Sequence, residues 1–529
     1  MRRIRRVWIK VLAGLLCAAG LAGCGGGGSS FTWRAERVPA NLDPQLAAES
    51  PEIIAVTHLF SGLYRLDAEG TPQLDCAESA EVSADGRVWT FRLKDGLRYA
   101  ARRGEDAGYA VTADDFVFGL RRVFLPETAS PYAEVLGNIA GSEELLAGGD
   151  PGRLGVRALD ELTLEITLRA PDEGFAEKLC LPGAMPCDEE FFESTGGAYG
   201  LGMGTTIGNG SFYLYNWTES GLFLRRAAAG GQIGSLRIVL AQTEATAPGS
   251  AESGAGSDGQ QRPAQPGPVE LITGEKCDAA LYDGPLGTGL TELPYTTTTW
   301  GLVFRCDEGP LANLQLRRAL GAVAYGLALE LPEGCAPAEG LTPPDMDYGA
   351  GRTLPALEGP VQLYREALAE LGTAQVTGLT VLVPQGYAQL FGQVNQEWQR
   401  QLSLFCKVQE LPMEELQQRL LAGDYEIALA PFAPQNSSPA SLLRQFGPDG
   451  VCALDAPAFV QALNEAEDLT PGSAGWAGAM ENAERILLDE CPVLPLFYQT
   501  KALLVAPGIE GVVFSPFAPS IDLTWAVRG

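Results

Sequence analysis

An α/β fold is predicted from the way strand and helix patterns succeed one another along the chain. Alternation of apolar and polar residues, which is typical of half-buried strands, is clearest at Leu162–Leu168, with further candidates at Thr90–Leu93 and Gly301–Phe304. Apolar residues at helical spacing predict helices over Thr112–Val123, Val361–Leu371, Gln389–Leu402, Met413–Leu421 and Gly475–Asp489. Because both patterns alternate through most of the second half, we expect mixed sheets covered by helices.

The first residues of the chain predict export. Four arginines and one lysine within residues 1–10 precede an apolar run from Val11 to Leu21. This run is shorter than the roughly 20 apolar residues that a membrane span needs. We therefore expect residues 1–23 to be a signal peptide that is cleaved from the mature protein.

The end of that segment predicts a lipid anchor. Leu21-Ala22-Gly23-Cys24 resembles the bacterial lipobox, whose cysteine is acylated and becomes the first mature residue. Cys24 is accordingly the predicted lipidation site, and residues 24–30 form the lipidated cysteine with a flexible glycine-rich tether. The alternative is an ordinary secretory signal followed by a chance cysteine.

The first predicted helix carries its own start signal. Thr112 is followed three residues later by Asp115, the spacing at which the two side chains cap the free N–H groups of a first helical turn.

The segment Thr243–Pro268 differs in composition from the sequence around it. It is rich in Gly, Ser, Ala, Pro and Gln and has almost no large apolar residue, so we expect a disordered surface insertion.

Composition narrows the class of partner. The formal net charge is −29 over 529 residues, and loss of the basic signal makes it more negative. Such a surface repels the phosphate backbone, so nucleic acid is not an expected partner. With 46% hydrophobic residues, the chain is long enough for more than one core, and its length favours about two to four domains.

Cysteine and histidine usage argues against an enzyme. The eleven cysteines include nine outside the signal and the lipid site, and none has the spacing of a zinc site. Cys180 and Cys187 could form a local disulfide. The single histidine, His58, lies in the helical pattern Ile53–Phe60, where a position on the helix surface explains it without chemistry. We therefore expect no catalytic residue, no metal and no cofactor.

A series of segments then follows one order along the chain. They are Leu42–Pro44, Ser50–Glu52, Leu59–Asp67, Ala77–Ala80, Thr90–Leu97, Val111–Val117, Thr128–Ala133, Leu154–Asp160, Asn209–Phe212 with Trp217, Ala483–Leu487 and Pro492–Tyr498. Together they resemble the extracytoplasmic solute-binding proteins of family 5, the oligopeptide- and dipeptide-binding components of ABC importers. The resemblance covers nearly all of residues 31–529.

The resemblance implies a large, class C periplasmic binding protein fold of type II, in which two lobes with mixed sheets close around a hinge. Lobe I would comprise residues 31–74, a subdomain inserted at 75–180, residues 181–289 and residues 496–529. Lobe II would comprise residues 290–495. The chain would therefore cross between the lobes more than once, which favours a defined hinge over a loose linker.

The resemblance also implies a ligand site. The candidate ligand-binding residues by position are Ser50, Pro51, Glu52, Tyr132, Asn209, Trp300, Pro431, Phe432, Gln435 and Tyr498. Peptide binders of the family use an aspartate to pair with the ligand's ammonium group, and Gln435 stands at that place here. An amide cannot form the charge-assisted bond. As alternatives, the aromatics would serve a core, Asn209-Gly210 would form a turn, and Pro51 would only shape a loop.

The sequence thus predicts a lipid-anchored, monomeric receptor on the outer face of the bacterial cytoplasmic membrane. It would capture a peptide or peptide-like solute and deliver it to an ABC permease, whose partner subunits hydrolyse ATP. The alternative is a sensory lipoprotein that kept the fold and presents its ligand to a receptor. A secreted hydrolase is disfavoured because the only histidine has no catalytic partners in the sequence.

Overall fold

The structure is a computed structural model of the chain. It describes residues 29–35, 37–172, 174–227, 232–240, 267–274, 276–346, 348, 354–357, 359–434, 438–467, 469, 474–517 and 520–529. The signal peptide, Cys24, Gln435 and residues 243–266 of the predicted insertion lie outside these ranges. The last two residues of the predicted insertion, Gly267 and Pro268, are described, and Pro268 is the first residue of a helix.

The described strands are spread along the whole chain. They are β1 Ser30–Ala35, β2 Tyr64–Leu66, β3 Pro72–Leu74, β4 Ala77–Val82, β5 Val88–Leu93, β6 Arg98–Ala100, β7 Asp106–Ala110, β8 Val156–Asp160, β9 Thr163–Thr167, β10 Phe212–Thr218, β11 Gly221–Arg226, β12 Ser235–Leu240, β13 Ala279–Tyr282, β14 Thr291–Phe304, β15 Cys335–Pro337, β16 Thr380–Pro384, β17 Lys407–Leu411, β18 Ile427–Phe432, β19 Val493–Val505, β20 Ile509–Glu510, β21 Val513–Ser515, β22 Ser520–Asp522 and β23 Val527–Arg528.

Helices are concentrated in the second half, as expected. They are Ser50–Leu59, Ala113–Phe124, Ser142–Leu146, Phe175–Lys178, Glu189–Ser194, Pro268–Thr273, Leu314–Ala324, Pro360–Leu371, Ala388–Leu402, Met413–Ala422, Pro439–Leu443, Pro457–Glu467 and Ala474–Asp489. Short 3-10 turns lie at Arg102–Gly104, Pro151–Arg153, Pro182–Ala184, Pro310–Ala312 and Arg444–Phe446. Every helix predicted from periodicity is confirmed, and Thr112 with Asp115 forms the predicted capping box.

One large sheet runs through the molecule. Its strand order is β10-β11-β12-β1-β13-β19-β14-β18-β16-β17, and β15 pairs with β19 beside this path. β1 runs parallel to β12 and β13, and β16 runs parallel to β17 and β18, whereas β14 is antiparallel to β18 and β19. The predicted mixed sheet is confirmed.

Buried apolar side chains of the described residues form three clusters. The terminal core draws on residues 31–60, 212–279 and 502–526, with Met185. The inserted core lies within residues 63–207 and includes the sheet of β4, β5, β9 and β8. The central core lies within residues 300–497. The chain therefore builds separate hydrophobic cores, of which the terminal and central cores share the large sheet.

Two long strands connect the terminal and central cores. Residues 291–295 of β14 pair with residues 501–505 of β19, and residues 298–303 pair with residues 493–499. The register shifts between Tyr295 and Thr298 and again between Trp300 and Gly301. Such bulges bend a strand and increase its local twist. The strands thus change direction where they pass from one core to the other.

The prediction that His58 lies on the helix surface is wrong. The residue lies in the helix Ser50–Leu59, but its side chain is fully buried. It packs edge-on against Phe212, with ring centroids 5.0 Å apart, and beneath the segment Asp522–Leu523 near the C-terminus. The sequence around His58 carries no sign of these distant partners.

Two smaller expectations also change. Ser30, predicted as the end of the tether, is the first residue of β1 and pairs with Ser235. Cys180 and Cys187 are free thiols: Cys180 donates to the carbonyl of Ala176, and Cys187 lies against the guanidinium of Arg122. The possible bridge between them is therefore not formed here. Most of the nine described cysteines are buried, like small apolar residues.

Candidate functional site

Four of the predicted site residues lie in three adjacent strands of the central core. Trp300 of β14 faces Pro431 of β18 and Phe497 of β19, and its neighbour Thr299 faces Phe432 and Tyr498. Successive residues of a strand point to opposite faces of the sheet. Trp300 and Pro431 therefore belong to one face, whereas Phe432 and Tyr498 belong to the other.

An aromatic stack covers the first face. The Trp300 ring lies parallel to Tyr387, with centroids 4.4 Å apart, and to Phe497 at 5.7 Å. Its indole Nε1–H donates to the side-chain oxygen of Gln499 at 2.9 Å. Trp300 is only 4% exposed, and Tyr387 is half-buried at the edge of the stack. Tyr387 therefore offers a rigidly backed ring to any molecule at this face.

A loop is held against the second face. The hydroxyl of Tyr498 accepts hydrogen bonds from the backbone N–H groups of Gly340, at 2.9 Å, and Glu339, at 3.2 Å. Thr299 donates to the carbonyl of Leu341 at 2.6 Å, and Phe432 packs edge-on against Phe446. Tyr498 and Thr299 thus fix residues 339–341 above the strands.

Glu484 anchors the same loop, and sequence reasoning gave it no role. Its carboxylate, 1% exposed, accepts from the N–H of Leu341 at 2.6 Å and from the hydroxyl of Thr342 at 2.6 Å. It also accepts from the hydroxyl of Tyr348, whose pKa is raised by burial and by the Glu484 charge. The sequence does contain a signal for this role, because Glu484 is an acidic residue on the apolar face of the helix Ala474–Asp489, beside Met480 and Leu487.

Ser50, Pro51 and Glu52 form the first turn of the helix Ser50–Leu59. The Glu52 carboxylate is 5% exposed and accepts from both terminal nitrogens of Arg37, at 2.5 and 2.8 Å, and from the N–H of Ala40 at 2.9 Å. These bonds satisfy most of its acceptor capacity. Glu52 therefore orders the segment that precedes the helix.

Tyr132 and Asn209 also make internal contacts. The Tyr132 hydroxyl donates to the carbonyl of Ala47 at 2.5 Å. The Asn209 amide accepts from the N–H of Ser61 at 3.0 Å and donates to the carbonyl of Ser61 at 2.9 Å. Gly210 packs so closely that a Cβ there would lie 2.5 Å from the carbonyl oxygen of His58. Ligand contacts by Ser50, Pro51, Glu52, Tyr132, Asn209, Trp300, Pro431, Phe432, Gln435 and Tyr498 all stay predictions.

A cavity of about 370 Å³ lies between the inserted and central cores. Glu134 lines one side, and Arg305, Leu421, Arg444 and Val451 are among the residues on the other. This volume is within the range of small-molecule pockets. None of the predicted site residues lines it, although Glu134 follows Tyr132 by two residues. The cavity therefore does not coincide with the predicted site.

One ion pair crosses this cavity. The Arg444 guanidinium lies 3.8 Å from the Glu134 carboxylate and also donates to Glu467 at 3.2 Å, measured from Nε to Oε1. Arg444 and Glu134 are each about half exposed at their side chains. The pair is a partly exposed contact between the inserted core and the central core.

The site offers the ring of Tyr387 and the charges of Glu134 and Arg444 for non-covalent binding. Within the described ranges, no group of three or more His, Cys, Asp or Glu side chains is placed to hold a metal ion. No helix in the same ranges is long and apolar enough to cross a membrane.

Comparison with known proteins identifies the class. The sequence profile described as "Bacterial extracellular solute-binding proteins, family 5 Middle" matches residues 71–451. The chain is 27% identical to the periplasmic oligopeptide-binding protein OppA of Escherichia coli strain K12, over 89% of this chain and 87% of that protein. It is 25% identical to the probable deoxycholate-binding periplasmic protein YgiS of the same strain, over 91% and 90% of the two chains.

Comparison with solved structures agrees with the sequence comparison. The substrate-binding domain of an oligopeptide ABC transporter from Bacillus anthracis superposes with a TM-score of 0.70, covering 95% of this chain and 99% of that one at 22% identity. The expected two-lobed, type II-like binding-protein fold is therefore confirmed. The profile spans well over half of the chain, and so this protein belongs to the bacterial extracellular solute-binding proteins of family 5.

Proposed function

We propose that this protein is the receptor of an ABC importer, that it captures a peptide or peptide-like solute, and that it is tethered to the outer face of the membrane through Cys24. The observation that carries the proposal is the cavity between the inserted and central cores, in a chain of this family whose terminal and central cores share two continuous strands. Relatives named as oligopeptide-binding proteins over nearly their whole length support the peptide assignment.

The proposed lobes follow the cores. Lobe I combines the terminal and inserted cores, and lobe II is the central core. The hinge would lie where β14 and β19 cross between them, at the register shift between Tyr295 and Thr298 and opposite Gln499. Closure would bring Glu134 of lobe I to Arg444 of lobe II around a ligand. This moves the start of lobe II a few residues past the boundary at 290 that the sequence suggested.

The ligand is proposed to be bound without a strong charge contact to its amino end. Gln435 takes the place of the family's aspartate, so a peptide ammonium would meet an amide. We expect Gln435→Asp to tighten binding of peptides with a free amino terminus and to leave amino-acetylated peptides unchanged, because a carboxylate adds a charge-assisted hydrogen bond. Equal affinity of both variants for free peptides, measured by calorimetric titration, would show that residue 435 lies away from the amino end.

Deoxycholate is the second candidate ligand. It is favoured by the similarity to the probable deoxycholate-binding protein and by the half-buried ring of Tyr387, which is backed by Trp300 and suits a flat apolar body. The sensory alternative gains no support from the relatives described above. Titrations should therefore compare peptides with deoxycholate on the same preparation.

The anchor has its own experiment. We expect the exported protein to sediment with membranes and to carry acyl chains on Cys24, which mass spectrometry of the amino-terminal peptide would detect. Cys24→Ala should release the protein in soluble form with unchanged ligand affinity. Wild-type protein that is exported, unacylated and soluble would contradict the lipid anchor while leaving the receptor function open.

A further inference from the structure

Two cysteines meet at the end of the strand that enters the central core. Cys306 follows β14 by two residues, and its N–H donates to the carbonyl of Cys452 at 2.9 Å. This hydrogen bond brings the two main chains side by side outside any strand, and a disulfide requires Cα atoms about 4.4–6.8 Å apart. The backbones are therefore close enough to be bridged.

The two thiols also contact each other. Cys306 is 9% exposed and Cys452 is fully buried, and their side chains are hydrogen-bonded. This contact lowers the pKa of Cys306 and raises that of Cys452. Cys306 is thus the better nucleophile, and Cys452 is placed to form the second half of a disulfide with it.

Cys306 and Cys452 also donate to backbone carbonyls, to that of Phe304 at 3.4 Å and that of Phe446 at 3.0 Å, but the other described cysteines interact with groups that are not cysteines. Cys76 donates to the carbonyl of Ser61, Cys180 to that of Ala176, and Cys187 lies against Arg122. Among the cysteines that the structure describes, no other pair shares a thiol or backbone hydrogen bond. Position therefore singles out Cys306 and Cys452, which are far apart in the sequence.

We propose that Cys306 and Cys452 are joined by a disulfide bond in the exported protein. The proposal rests on the extracytoplasmic location proposed above, because disulfides persist in oxidising compartments. The oxidant is the disulfide of an extracytoplasmic thiol oxidoreductase. Its S–S bond breaks as the Cys306–Cys452 bond forms, and the two protons and two electrons lost by the cysteines leave the oxidant as two thiols.

The bridge would stiffen one wall of the cavity. Cys452 adjoins Val451, and the segment from Arg444 to Val451 supplies much of the lining opposite Glu134. Tyr425 ties that segment through the carbonyl of Val451, at 2.7 Å, and the disulfide would replace the hydrogen bond that the Cys452 thiol donates to the carbonyl of Phe446, at 3.0 Å. A covalent link to β14 would hold it in register with the strand that carries Trp300.

The direct test is mass spectrometry of exported protein that is denatured and alkylated without reduction. Trypsin cleaves after Arg305 and Arg444, so peptides 306–317 and 445–485 each contain a single cysteine. We expect these two peptides joined, two hydrogen masses below their sum, and separated by reduction. Recovery of both as singly alkylated peptides, or of either joined to another cysteine, overturns the proposal. The amino-terminal peptide in the same digest reports whether the sample was exported.

A second test is independent of export. Full-length chain without residues 1–23 is unfolded, reduced and refolded in a buffer of reduced and oxidised glutathione, then digested in the same way. We expect the same linked pair. Reductant should then lower the melting temperature of wild type and of the buried-cysteine control Cys406→Ala, but not that of the double variant Cys306→Ala/Cys452→Ala. An equal response of all three proteins to reductant contradicts the bridge.

Discussion

His58 is the single histidine, and both of its ring nitrogens are engaged inside the protein. Nδ1 lies 2.6 Å from the carbonyl of Ile54, and Nε2 accepts from the N–H of Leu523 at 3.0 Å. Only the neutral ring with its proton on Nδ1 satisfies both partners. Burial lowers the pKa of His58 to about 4, although Asp522 nearby favours the charged form.

This burial predicts acid sensitivity. Between pH 6.5 and about pH 4, the unfolded chain binds a proton at His58 that the folded protein does not, so stability falls as the pH falls. The expected loss is about 3 kcal/mol by pH 4. Urea unfolding should show a steeper decline over this range for wild type than for His58→Gln, which cannot be protonated there. A folded-state imidazole signal that titrates near pH 6.5 by NMR would contradict the assignment.

Glu484 offers the second prediction at this scale. Glu484→Gln keeps the size of the side chain but replaces an acceptor oxygen by an amide N–H, which cannot accept from Leu341 or Thr342. We expect a loss of about 2 kcal/mol in the free energy of unfolding and weaker ligand binding, because the loop at 339–342 loosens. Glu481→Gln, exposed on the same helix, is the control. Equal urea midpoints for the two variants would exclude the anchoring role.

At the level of elements, the spacing of apolar residues predicts helices correctly where the local sequence alone determines the structure. The helices Pro360–Leu371 and Ala388–Leu402 begin within one residue of their predicted starts. β14 was recognised only at Gly301–Phe304, although it extends from Thr291. Its first half contains Pro294, which argues locally against a strand, and it pairs there with β19. Distant pairing leaves no local pattern to read.

Two glycines give a matched test of close packing between elements. Gly210→Ala would place a Cβ 2.5 Å from the carbonyl oxygen of His58 and 2.6 Å from the carbonyl carbon of Leu59. We expect it to cost about 2 kcal/mol and to disturb the Asn209–Ser61 contact. Gly392→Ala, in the helix Ala388–Leu402 with no atom within 4 Å of the new Cβ, should instead stabilise by about 0.5–1 kcal/mol. Thermal unfolding that shifts both variants in one direction would contradict this packing.

For the whole molecule, the order of family-like segments predicted the class and the fold, because both depend on many positions at once. The site was less accessible. Tyr132, Asn209 and Glu52 were chosen by position, yet the structure gives their polar groups internal partners. Glu134 and Arg444 come from distant parts of the chain, and only folding reveals that they face each other.

The Glu134–Arg444 ion pair leads to a prediction about ligand affinity. If Glu134 and Arg444 meet when the lobes approach, Glu134→Gln should weaken ligand affinity by about two- to fivefold, and high salt should reduce the difference. Glu143→Gln removes a more exposed ion-pair partner of Arg169 within the inserted core and is the control. Calorimetric titration that finds equal affinities for Glu134→Gln and Glu143→Gln would show that the contact does not contribute to the bound state.

The central claim is that the cavity between the lobes captures peptides. Native mass spectrometry of the purified chain, incubated with an equal mixture of short peptides, deoxycholate and sugars, tests it most directly. We predict one added mass per chain, which fragments into an amino-acid series and is reduced by Glu484→Gln. An added mass that is only deoxycholate or a sugar, or no peptide adduct across the library, would contradict the assignment of this protein as a peptide receptor.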